Sequence, residues 1–176
     1  MASELRVDRI VPTSGVPAGG GGSIIQVVQS TKTDTASSTA GFTWTDMGLS
    51  ASITPKFDTS KILVMVEACI GSSIGFDMKT RLLRGSTAIF IGDQASARPR
   101  TSVTITQSYS TTANYAADQA IINYLDSPAT TSSVTYKTQG RPYRNNDGGF
   151  FVAQPAPSGT SDPNTPAVMT LLEVVA

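Results

Sequence analysis

The sequence predicts an all-β fold, an antiparallel β-sandwich of jelly-roll-like build led by a short extended N-terminal head. Three observations predict it. Serine and threonine supply 44 of the 176 residues; threonine suits a pleated surface through its branched Cβ, and serine gathers in turns. Short apolar runs recur between breaks rich in Gly, Asn, Asp and Pro, and several alternate with period two. No heptad pattern, strand–helix rhythm or internal repeat interrupts the series.

The head, MASELRVDRIV (1–11), sets Leu5, Val7 and the pair Ile10-Val11 against Glu4, Arg6, Asp8 and Arg9, which reads as a short extended or weakly helical segment. PTSGVPAGGGG (12–22) follows. Four consecutive glycines are costly to order, so this is a flexible linker or a tight irregular passage. The expected division is therefore 1–22, an attachment segment with a Gly-rich linker, and 23–176, the sandwich. Strands are predicted at 24–30, 42–49, 61–70, 76–84, 87–92, 101–110, 119–126, 133–140, 149–154 and 167–175. In 76–84, Phe76, Met78, Thr80 and Leu82 share one face while Asp77, Lys79 and Arg81 take the other. Segment 61–70 is apolar on nearly both faces, as a central strand pressed against a second layer or a subunit would be. Turns are expected at Gly71-Ser72-Ser73, Arg84-Gly85-Ser86 and Asn145 to Gly149. The four prolines of 155–166 make that stretch a surface loop, and 111–120 reads as a helical turn or a loop.

A chain of this length fits one domain with a real core. Thirteen basic and thirteen acidic side chains cancel, and only 15% of residues are charged, against about a quarter in ordinary domains. Neutrality argues against a nucleic-acid partner, which calls for a basic excess. So little charge suits a protein that buries surface in an assembly. Cys69, the sole cysteine, has no internal disulfide partner and sits in an apolar run as a small hydrophobe. The opening lacks the apolar core of a secretory signal, and no stretch approaches a spanning helix; synthesis in the cytoplasm without membrane insertion is expected.

Chemistry is sparse. There is no histidine, which removes the usual general base and the commonest metal ligand. The aspartates are scattered at strand exits and turns, with no glycosidase-like pair selected. Glu67 and Glu173 each interrupt an apolar strand; Glu67 is expected to meet Arg81, Arg84, a neighbouring subunit or solvent. The glycine run lacks the Lys-Ser/Thr of a phosphate loop, and NNDGG offers calcium only Asp147. No catalytic residue, cofactor or metal site is predicted. Phe42, Trp44 and Phe57 are expected in the core or an interface. Tyr136, Arg141, Tyr143 and Arg144 are the candidate recognition or subunit-interface residues, because Tyr and Arg bury area while keeping a polar handle.

The opening SELRVDRIVPTSG (3–15) resembles the starts of tail-fibre and virion-associated structural proteins of tailed bacteriophages. IIQVVQSTKTD (24–34), TDMGLSASITPKFDTSKILVMV (45–66), LLRGSTAIFIGD (82–93), LDSPATTSSVTYKTQ (125–139) and VMTLLEVV (168–175) look like a β-rich module of phages of marine and freshwater bacteria, the cyanophage-like kind. The resemblance implies a non-enzymatic structural protein of the virion, on its tail or particle surface, built as a homotrimer that contacts other virion proteins. Leu5, Val7 and Ile10 would anchor the head, and far loops would meet a host-surface glycan or receptor. The long repetitive shaft of many such fibres is missing, which leaves a short fibre, a capsid decoration protein, an adaptor, or a carbohydrate- or receptor-binding module as the alternatives.

Overall fold

Alternation along the strands sorts the side chains into an inner and an outer set, and two sheets close on the inner one. The structure, a computed structural model, describes residues 23–38, 40–72, 77–105, 117–143, 150–152 and 165–175. Its strands are β1 (Ser23–Lys32), β2 (Ala36–Ser38), β3 (Thr45–Ile53), β4 (Lys61–Ser72), β5 (Met78–Arg84) and β6 (Thr87–Ile89), then β7 (Val103–Ile105), β8 (Ala117–Asp126), β9 (Val134–Pro142), β10 (Phe150–Val152) and β11 (Ala167–Val175).

In the first sheet β11 lies between β1 and β4, and β8 takes the other side of β4. The short β10 and β2 extend this sheet beside the end of β4. In the second sheet β9 lies between β3 and β5, and β6 and β7 share the far side of β5 at its two ends. Every pairing is antiparallel. Leaving aside the short β2 and β10 and counting β6 and β7 as one position, the strands among the described residues fill eight places, and between these the chain changes sheet at every step except the β5–β6 hairpin. First and last strands lie side by side. That interleaving is a jelly roll.

The core comes from both sheets. Ile62, Val64, Val66, Ile122, Met169 and Leu171 of the first face Met47, Leu49, Ile53, Met78 and Leu82 of the second, all at 2% exposure or less. Each such side chain contributes about 1.5–3 kcal/mol by leaving water. One end of the sandwich is closed by polar groups. A single cross-strand row of the first sheet carries Gln26, Glu173, Ile62 and Asp126. Glu173 is wholly buried and accepts from the Lys56 backbone N–H at 2.6 Å and the Ser60 hydroxyl at 2.7 Å, tying down the β3–β4 loop. The Gln26 amide, oriented to satisfy both its ends, donates to the other Glu173 oxygen and to the Thr54 carbonyl. Asp126 accepts from Arg84 at 2.9 and 3.0 Å and from the Tyr136 hydroxyl at 2.7 Å, joining the sheets.

Several expected boundaries move for backbone reasons. The strand expected from 42 begins at Thr45, because Phe42 stands at φ +59. It runs on to Ile53 through a bulge, where Asp46 pairs with Gln139 and Ser50 with Lys137, with Gly48 at φ +77. The strand expected over 87–92 stops at Ile89, since Phe90 is at φ +50. Residues 117–120 are strand, not a helical turn, while 106–116 lie outside the described residues. The polar β2 gave no sequence signal. The head and linker, 1–22, with Leu5, Val7 and Ile10, also lie outside the described residues.

Candidate functional site

Period two on β9 builds the most chemically varied surface. Val134, Tyr136 and Thr138 point inward, and Thr135, Lys137, Gln139 and Arg141 point out. Strand register then sets Asp46 of β3 and Arg81 of β5 on either side of Gln139, with Lys79 beside Arg141. Hydrogen bonds follow this row. Gln139 donates its amide to Asp46 Oδ1 at 2.6 Å and accepts from Arg81 Nε and Nη2 at 2.9 and 2.6 Å. Lys137 reaches the other Asp46 oxygen at 2.8 Å. The Lys137 and Gln139 contacts hold the Asp46 carboxyl below its ordinary pKa. Burial and then the neighbouring Arg141 charge pull Arg81 below its own.

Aromatic rings lie among these cations. Arg81 lies 4.3 Å from the Trp44 ring centre, and Arg141 lies 5.9 Å from both Trp44 and Phe42. Phe42 and Tyr143 meet at 6.1 Å with their planes tilted by 55°, and Lys79 sits 5.3 Å over Tyr143 while pairing with Asp77 at 3.3 Å. Phe42 is 57% exposed and in the left-handed region, which costs a large side chain roughly 1–3 kcal/mol. Its N–H, donated to the Pro142 carbonyl at 3.2 Å, helps to hold it there. A cavity of about 290 Å³ opens beside it, lined by Phe42, Lys79, Ala97, Pro99, Arg141, Pro142 and Tyr143.

Of the four residues proposed from sequence, Arg141 and Tyr143 meet here. Tyr136 does not: it is at 0% exposure, on the opposite face of the same strand, with its hydroxyl on Asp126. Arg144 lies outside the described residues. Phe42 and Trp44, expected in the core or an interface, stand on the outer face and not in the core, Phe42 exposed and Trp44 half-buried. Lys79 and Arg81 were legible as outward residues, but which strand would lie beside theirs was not. Glu67 faces solvent on the first sheet. Among the described residues, no three His, Cys, Asp or Glu side chains are placed to hold a metal ion.

The outer face of the first sheet is a second surface. One row across four strands reads Val27, Leu172, Leu63 and Leu125. Val27 is 60% and Leu125 46% exposed, and Ile24 and Ile121 add to the same face. Lys61 and Glu67 are its exposed charges on β4.

No protein-family model matches the chain, and no curated protein is similar to it. Among solved structures, the structure of infectious bursal disease virus Gx strain is similar over 93% of this chain at 12% identity, with a TM-score of 0.37. The chain spans 44% of that match. Strand order, and not this likeness, identifies the jelly roll.

Proposed function

We propose that this chain is a non-enzymatic structural module of a virus particle, worn at the particle surface as a decoration or adaptor protein. The observation that carries this reading is the apolar outer face of the first sheet. A row of Val27, Leu172, Leu63 and Leu125, exposed at its two ends and half-buried between them, is an interaction surface, since ordinary domains keep such patches small. The second sheet turns its rings and cations in the opposite direction. A module with a docking face on one side and a polar, aromatic face on the other fits a protein that sits on a particle and meets what lies outside it.

The phage resemblance supplies the virion context, and its fibre-like form has three copies covering the apolar face for one another. In the decoration form, a different virion chain covers it. Light scattering behind a sizing column separates the two. A mass near three times 18.4 kDa that falls to one with Leu125→Lys supports the fibre-like assembly. A wild-type monomer that binds apolar dye on this face, and loses that binding with Leu125→Lys, supports decoration. A monomer whose dye binding, solubility and mass ignore the substitution overturns the docking face.

A further inference from the structure

We infer that the outer face of the second sheet binds a carboxylated sugar, a uronic- or sialic-type residue of a surface polysaccharide, with Arg141 as the carboxylate fork and Phe42 and Tyr143 as the stacking floor. The inference deepens the outward-facing part of the proposed function, and its readout is independent of assembly.

Arg141 is the first reason. Its guanidinium lies 5.9 Å from the Phe42 and Trp44 rings, and no carboxylate among the described residues pairs with it. A guanidinium presents parallel N–H donors that match the two oxygens of a carboxylate, and rings beside it leave those donors unspent. Neighbouring charges favour an anion as well. Asp46 is occupied by Lys137 and Gln139, and Asp77 by Lys79, while Arg81 and Arg141 crowd each other. An otherwise neutral chain is therefore locally positive beside this cavity.

The remaining features select a sugar. Phe42 at 57% and Tyr143 at 41% exposure, with Pro99 and Pro142, offer apolar walls to the C–H face of a pyranose ring. A cavity of about 290 Å³ is at the small end of ligand pockets, roughly 300–1,000 Å³, and suits a monosaccharide unit entering from an open face. A nucleic-acid strand fits less well, because it needs a track of cations for successive phosphates, and the cations lining this cavity are Lys79 and Arg141, one of them already paired with Asp77.

The test titrates the full chain, by calorimetry or ligand-observed NMR, with an oligogalacturonate and with the same oligomer methyl-esterified. Binding of the acid, about tenfold weaker for the ester, is the expected result. Arg141→Ala should weaken the acid about tenfold, and Phe42→Ala several-fold. Arg141→Lys keeps the charge but not the fork and should fall between wild type and Arg141→Ala, which guards against a folding defect in the alanine variant. Lys61→Ala removes one positive charge from the opposite sheet and should change nothing. Equal binding of acid and ester, equal damage from Lys61→Ala, or no binding at about 10 mM overturns the inference. So does tighter binding of a single-stranded oligonucleotide of equal charge.

Discussion

Tyr136 keeps its proton because its surroundings disfavour the phenolate. Burial pushes its pKa well above the ordinary value, and the hydrogen bond to Asp126 adds to the shift. The unfolded chain releases this proton near pH 10 while the folded one does not, so the stabilisation is complete below about pH 10 and is lost as pH rises beyond it. Tyr136→Phe should cost about 1–2 kcal/mol at neutral pH, leaving Asp126 with Arg84 alone. The variant should also lose stability less steeply than wild type between about pH 9 and pH 11, read by urea denaturation. Glu173 makes the complementary case, a buried carboxylate satisfied by donors that carry no formal charge. Glu173→Ala strands the Lys56 N–H and Ser60 hydroxyl and should cost about 3 kcal/mol, a fall in Tm of roughly 10 °C. Tyr136 also shows what parity reveals and proximity hides. It is five residues from Arg141, so the two fall on opposite faces of one strand, whereas Arg141 and Tyr143 share a side.

Among elements, the β5–β6 hairpin was readable because its turn residue is chemically required. Gly85 at φ +59 opens the two-residue Gly85-Ser86 loop, a pattern that places glycine first. Nothing lies within 4 Å of a Cβ built there, so Gly85→Ala pays for the backbone alone, about 1 kcal/mol, and Gly85→Asn about half of that in the midpoint of urea denaturation. Gly48 sits at φ +77 in the β3 bulge, where a Cβ would also meet Lys32 Cε and Nζ at 3.2 Å. The long strands β4, β8, β9 and β11 were legible from their apolar content and alternation, as was the glycine turn. The β3 bulge, the left-handed Phe42 and Phe90, and β2 were not. Each depends on a neighbour remote in sequence, and an aromatic at positive φ runs against its own local preference.

At the scale of the whole molecule, the low charge of the sequence reappears as an imbalance between two outer faces. Val27→Asp together with Leu125→Lys should raise solubility and reduce any self-associated mass, with the melting temperature within a few degrees of wild type, because neither side chain is in the core. Light scattering and a thermal melt of the same sample check both parts. Composition raises the expectation of a buried surface without giving it a place; strand register, which aligns Val27 with Leu125 across two intervening strands, puts an apolar row on the outer face of the first sheet. That register has one more effect. Ser23 pairs with Val175, so the chain enters the sandwich and leaves it at neighbouring points. A unit with its doorway and exit together can be spliced into a loop of an unrelated protein as a self-contained cassette, and the host chain need only open by the width of two strands.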